Sequence, residues 1–162
     1  MGLINETNLN FNGLTKQDKI KRIVLHHVGP PDRDVSAKEI DGWHKGQGWA
    51  GIGYHFVVRR DGTIERGRPE WALGAHAAGF NNSSIGINFA GNLEKMQPTK
   101  EQIEAGAMLL ADLCTRHQLE PNAQTIVGHC DLMATACPGK NLYLLLQTLI
   151  GKAVWYQQNP CW

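Results

Sequence analysis

Three side chains in this sequence are of the right type, and sit at the right places, to hold a reactive metal ion. His26 ends the apolar run Ile23-Val24-Leu25, His129 ends Ile126-Val127-Gly128, and Cys137 follows eight residues later, ahead of the stiffening pair Pro138-Gly139. Both runs are short and rich in β-branched residues, as buried strands are. Neighbouring strands of an open α/β sheet bring their ends to one rim, and such folds place their sites there. Two imidazole nitrogens and one thiolate suit zinc, which takes nitrogen and sulfur in a tetrahedron; three protein ligands leave the fourth position to water. The chemistry on offer is metal-assisted hydrolysis. Spacing alone leaves a second reading open, because a single strand-end histidine is more often a hydrogen-bonded structural residue. No His-Glu-x-x-His occurs, which excludes the commonest zinc-protease arrangement.

The elements that must position these residues can be read from the same sequence. Residues 22–28 form an apolar strand that turns polar at its end and stops at Gly29-Pro30-Pro31. Ser36-Ala37-Lys38-Glu39 has the form of a capping box, followed by Ile40, Trp43 and His44 at helical spacing. Residues 54–59 and 63–66 read as strands joined by the hairpin signal Asp61-Gly62, and residues 84–90 as a further strand. Thr99-Lys100-Glu101-Gln102 opens a second helix, with Ile103, Ala107, Leu110 and Cys114 on one face. Residues 125–129 form a short strand, and residues 141–151 a terminal helix. Strands alternating with helices predict an α/β fold, a single domain with a central mixed β-sheet of about five to six strands flanked by helices. The expected plan is a surface extension over 1–20, the catalytic domain over 21–151, and a tail over 152–162 docked on the domain.

Composition narrows the field. A chain of 162 residues holds one core comfortably. Hydrophobic residues at 42% and charged residues at 19% place it among globular proteins rather than disordered ones. The net charge of +1 gives no field for nucleic acid, so no nucleic-acid partner is expected. No apolar stretch approaches the ~20 residues of a membrane span, so no membrane insertion is expected. The N-terminus carries no basic segment ahead of an apolar one, which predicts cytoplasmic synthesis. Cys114, Cys130, Cys137 and Cys161 are too few and too uneven for a disulfide scaffold.

The order of short motifs carries more information than any one of them. His26, Trp43-His44, Gly53-Tyr54-His55-Phe56, Arg60-Asp61-Gly62-Thr63, Gly67-Arg68 and Gly74-Ala75-His76-Ala77 are followed by Asn81, Ser84-Ile85-Gly86-Ile87, Gly128-His129 and Cys137-Pro138-Gly139. The series resembles the zinc-dependent N-acetylmuramoyl-L-alanine amidases of the type 2 family, which includes amidase-type phage lysozymes, wall-recycling amidases and peptidoglycan recognition proteins. The resemblance spans residues 23–142 and is nearest the phage branch.

That resemblance implies Zn2+ held by His26, His129 and Cys137. The family motif puts the first ligand at His26 rather than His27, and side-chain alternation along a strand turns the neighbour away. Cys130, next to His129, is read as a non-ligand for the same reason. Tyr54 matches the active-site tyrosine, whose hydroxyl donates toward the oxyanion. Thr135 stands two residues before the third ligand, where phage enzymes typically carry lysine and amidase-active recognition proteins carry threonine; it is taken as the second catalytic residue. His76 matches a position lining the substrate cleft, and Trp71 and Asn81 complete the expected substrate-binding set. His44 is read as packed or surface, and His117 as a helix-end histidine without a function. The implied function is cleavage of the amide between N-acetylmuramic acid and L-alanine in bacterial peptidoglycan, by a monomeric phage or prophage endolysin that reaches the wall after release. The alternatives are a cytosolic muropeptide-recycling amidase, an effector injected into rival bacteria, and a non-catalytic peptidoglycan-binding module.

Overall fold

A computed structural model describes residues 2–160; Met1, Cys161 and Trp162, with the end of the aromatic tail, lie outside the described residues. Six strands form one mixed sheet: β1 (Ile4–Asn5), β2 (Arg22–His27), β3 (Phe56–Val58), β4 (Ile64–Arg66), β5 (Ser84–Phe89) and β6 (Ile126–Gly128), in the spatial order β1-β4-β3-β5-β2-β6. The β3–β4 hairpin is antiparallel and every other neighbouring pair is parallel. Helices α1 (Ala37–Gly46), α2 (Lys100–Arg116), α3 (Lys140–Tyr143) and α4 (Leu146–Gln158) complete the chain. This is the α/β class, with the six-stranded mixed sheet that the alternating pattern predicts.

Alternation along the strands divides the sheet into two faces. Ile23 and Leu25 of β2, Phe56 and Val58 of β3, and Ile85, Ile87 and Phe89 of β5 are buried in a large core completed by α2 and α4. On the other face Val57 packs with Val35, Ala37, Ile40 and Ile52 beneath α1. His26 and Asn88 are direct register partners across β2 and β5, on the α1 side of the sheet. Both capping boxes form: Ser36 Oγ accepts from the Glu39 N–H, and Thr99 Oγ1 from the Gln102 N–H.

Two element boundaries differ from expectation for identifiable reasons. β3 begins at Phe56, so Tyr54 and His55 precede the ladder instead of lying within it. The helix expected over 141–151 is divided: the Leu145 N–H bonds the Leu142 carbonyl in a tightened last turn of α3, and α4 begins afterwards. α4 then runs through Gly151 to Gln158, because Leu146, Leu149, Ile150 and Ala153 maintain a buried stripe. Near its end Lys152 pairs with Glu104 of α2 at 2.7 Å, and Tyr156 donates to the same carboxylate. At the other terminus, β1 lies parallel to β4 at the sheet edge, and the buried Gln17 bridges the Glu70 carbonyl and the Ser84 N–H. His117 caps α2 and lies 2.7 Å from Glu70 Oε1. Burial alone would raise the Glu70 pKa, but hydrogen bonds from His117, Arg116 and Arg66 outweigh it and hold the carboxyl well below its usual range. Among the described residues no helix is long and apolar enough to cross a membrane.

Gly106 lets α2 approach the sheet. A Cβ there would lie 2.7 Å from Phe89 Cζ, and Phe89 is fully buried with nowhere to move. Alanine would gain about 1 kcal/mol of helix propensity against about 1–3 kcal/mol of overpacking. Gly106→Ala is therefore expected to be net destabilising and to lower the melting temperature by a few degrees, roughly 2–4 °C per kcal/mol at this size. Thermal denaturation followed by circular dichroism checks it; an unchanged or raised midpoint would contradict the close-approach argument.

Candidate metal centre and cleft

β2 and β6 both end at the same rim, and the residues that leave them define the site. His26 is the fifth residue of β2, and its alternating neighbour His27 points to the opposite face, where His27 Nδ1 accepts the Leu93 N–H at 3.0 Å. His129 opens a 3-10 turn directly after β6. Asp131 pins that turn by accepting from the Gly128 N–H and from the Tyr143 hydroxyl. Cys137 follows the turn, and its sulfur accepts the His27 N–H at 3.4 Å and lies 3.5 Å from His26 Nδ1. Cys130 stays outside the cluster: its N–H donates to the Cys137 carbonyl.

One donor atom from each of His26, His129 and Cys137 lies within 4.8 Å of the others. Among the described residues this is the only group of three or more His, Cys, Asp or Glu side chains arranged to hold a metal ion. The chemistry of the three donors fits zinc. His129 Nδ1 is buried with no hydrogen-bond partner, which is costly for a polar atom unless a ligand completes it. Burial, reinforced by the neighbouring histidines His76 and His129, pushes the His26 pKa well down, so its imidazole is neutral and has a lone pair to give. Burial pushes the Cys137 thiol up to about 12, the response of a sulfur that ionises only when a cation shares its site.

The partners of His26 assign its tautomer. Nε2 lies 2.9 Å from His76 Nδ1, while Nδ1 faces the Cys137 sulfur. If Nδ1 is the ligand atom, Nε2 carries the hydrogen and donates to His76 Nδ1. His76 then carries its own hydrogen on Nε2, which is buried and has no protein partner, in a ring that forms part of the cleft wall. Gly86 makes room for this stack: a Cβ there would meet the His76 ring at 2.6 Å. Asn81 Oδ1 accepts from the backbone N–H groups of His76 and Ala77, which holds the loop against the cleft.

The cleft has a volume of about 310 Å3, and its walls include Tyr54, His76, Asn81, His129, His44 and Trp49. The Tyr54 ring centroid is 5.0 Å from that of His26. Burial first, and then the Cys137 sulfur, drive the Tyr54 pKa above its ordinary value, so its hydroxyl stays protonated and can only donate or accept as a neutral group. Two of the expected site residues do not line this cleft. Thr135 Oγ1 accepts the Cys137 N–H at 3.2 Å and is absent from the cleft wall. Trp71, about half exposed, lines a separate depression with Lys16, Gln17, Glu70 and His117.

His44 is a cleft residue that the sequence reading left as packed or surface. It continues the inward stripe of Ala37, Ile40 and Asp41 on α1, a periodicity that was available in the sequence. Its Nδ1 accepts the Gly53 N–H at 2.9 Å, and burial lowers its pKa, so the neutral ring carries its hydrogen on Nε2. His55, by contrast, is structural: Nδ1 accepts the Gly86 N–H and Nε2 donates to the Ala72 carbonyl, with burial lowering its pKa to about 4.

Comparison with known proteins follows this geometry. Residues 16–140 match the family described as N-acetylmuramoyl-L-alanine amidase. The chain is 35% identical over 130 residues to the endolysin of Klebsiella phage KP32, covering 79% of this chain and 86% of that one. It is 38% identical over 132 residues to peptidoglycan-recognition protein SC2 of Drosophila simulans, covering 77% and 71% respectively. The solved structure of the N-acetylmuramoyl-L-alanine amidase LysC from Clostridium intestinale URNW superposes with a TM-score of 0.83 at 35% identity, covering 91% of this chain and 97% of that one.

Proposed function

This chain belongs to the N-acetylmuramoyl-L-alanine amidase family and is a peptidoglycan amidase, and from that premise we propose that it is a zinc enzyme of the endolysin type. The observation that carries the zinc reading is the convergence of His26, His129 and Cys137, with one buried imidazole nitrogen left unpartnered. When bound, the zinc ion supplies a Lewis acid that makes water nucleophilic near neutral pH and polarises the scissile carbonyl.

The rest of the chemistry belongs to the chain. Tyr54, kept protonated by burial, donates its hydroxyl hydrogen toward the oxygen that gains charge as the amide carbon becomes tetrahedral. His76 holds His26 in the tautomer that leaves Nδ1 free, and its ring forms part of the cleft wall. Asn81 fixes the loop that carries His76, so its part in substrate binding is largely through that loop. His44, a neutral ring fixed by the Gly53 N–H, forms the α1 side of the cleft wall. Thr135 fixes the backbone on which Cys137 is presented, and in this reading it serves the sulfur rather than the substrate. Trp71, on its separate depression, has no part in this chemistry.

The relative from phage KP32 is named an endolysin, and this favours an enzyme that cleaves the polymeric wall over one that recycles soluble fragments. Mass spectrometry of purified sacculi digested with the zinc-loaded protein tests the bond and the setting together. Free stem peptides beginning at L-alanine are expected, with intact glycan strands. New reducing sugar ends would identify a glycosidase instead. Cleavage of soluble anhydro-muropeptides with sacculi untouched would move the protein to the recycling class.

A further inference from the structure

Tyr54 and His44 also border a second cavity of about 50 Å3, lined in addition by Val28, Ile40, Trp43 and Asn88. Asn88 is fully buried, and neither its Nδ2 nor its Oδ1 has a hydrogen-bond partner. A buried amide with all its hydrogen bonds unmade is unusual and unfavourable; leucine would fill the same volume without that penalty. The position is also particular, since Asn88 is the register partner of His26 on the face that carries the metal centre. The cavity exceeds the space one water needs, which is about 10–15 Å3. Asn88, Tyr54 and His44, among its lining residues, carry polar side chains.

We propose that Asn88 is a positioning residue for Tyr54: its amide holds a water in this cavity, and that water hydrogen-bonds the Tyr54 hydroxyl and aims it at the cleft. The amide satisfies itself through the water, and the water completes its own partners with Tyr54 and His44. The Tyr54 carbonyl accepts the Arg68 N–H just ahead of β3, and a bridge from β5 gives the hydroxyl end of its ring a second fixed point.

This inference rests on Tyr54 being the oxyanion donor, and the experiment separates the two. Zinc-loaded full-length Asn88→Leu, Asn88→Ser, Tyr54→Phe and the double variant Asn88→Leu/Tyr54→Phe are assayed on a soluble disaccharide-tetrapeptide, with zinc content measured for each. Asn88→Leu is expected to lower kcat about tenfold, the rate equivalent of one net hydrogen bond, with KM and zinc content unchanged. Asn88→Ser, which keeps a donor and acceptor at the cavity, is expected to recover most of that loss. In the Tyr54→Phe background Asn88→Leu is expected to change nothing further. A crystal structure of the wild-type zinc form is expected to show one water within hydrogen-bond distance of both Asn88 and Tyr54. An equal fall in both backgrounds would make Asn88 a packing residue, and a dry cavity or an unchanged kcat in Asn88→Leu would overturn the proposal. Should Asn88→Leu fail to fold, the serine variant and the crystal structure decide. Full activity in Tyr54→Phe alone would instead remove the role of Tyr54.

Discussion

Cys137→Ser is expected to abolish stoichiometric zinc binding and to lower hydrolysis of sacculi by more than the roughly 100-fold that loss of a supporting, non-ligating partner typically costs. The sulfur is the soft donor of the three, and a serine hydroxyl at the same place is a poor ligand that stays protonated at neutral pH. Nothing else in the cluster can replace it. Cys130, the nearest other thiol in sequence, belongs to the 3-10 turn and presents its backbone N–H, rather than its sulfur, to the Cys137 carbonyl. The fold does not depend on the metal, because both cores are built from residues outside the site. Cys137→Ser is therefore expected to remain folded, which distinguishes loss of chemistry from loss of structure. Chelation supplies the second measurement. A ligand at 100 times its Kd stabilises the folded form by about 2.7 kcal/mol, so a metal chelator is expected to lower the melting temperature of the wild type and leave that of Cys137→Ser where it is. Zinc retained at one equivalent in the variant, or a wild-type melting temperature indifferent to the chelator, would remove the metal centre from this position.

The residues read correctly from sequence as a cluster are those whose placement follows from strand geometry alone. His26 and His129 each end an apolar run, and a parallel sheet carries such ends to one rim whatever the loops do. Separating His26 from His27 needed only alternation, and the structure gives His27 to the other face, against Leu93. Cavity walls are harder, because they depend on how elements pack. His44 carries its signal in the α1 stripe, but whether that stripe ends in a core or beside a cleft is decided by the Gly53 backbone that reaches over it. Asn88 gave no sequence signal, since an asparagine in an apolar strand becomes informative only when its hydrogen bonds can be counted. Trp71, a loop aromatic near the motifs in sequence, sits on a different depression in space. α4 runs past the expected end at residue 151 because the buried stripe through Ala153 carries the helix beyond it.

Tyr54→Phe is expected to reduce kcat by about 10²–10³-fold, the usual cost of removing one preorganised oxyanion donor. The substitution takes away a single oxygen and keeps the ring, whose packing 5.0 Å from the His26 imidazole and 5.7 Å from that of His44 fixes the shape of the cleft. Substrate contacts made by the other walls remain, so KM should change little. An interaction made only in the transition state lowers kcat and kcat/KM together, and this pattern separates an oxyanion donor from a binding residue. Zinc content should be unchanged, because the hydroxyl is not among the three donors. The variant should remain folded, since the ring and its packing are kept. The tyrosine is suited to this task by its environment: burial keeps it neutral across the working pH range, so it approaches the developing charge as a donor and never as a competing anion. A lysine at residue 135, in the manner of the phage-type pattern, would bring a full positive charge to the same region, whereas the threonine present is engaged with the Cys137 backbone. On the proposed mechanism, that leaves the Tyr54 hydroxyl as the chain's principal donor to the oxyanion. Rates within twofold of wild type in Tyr54→Phe would show that the oxyanion is held without it.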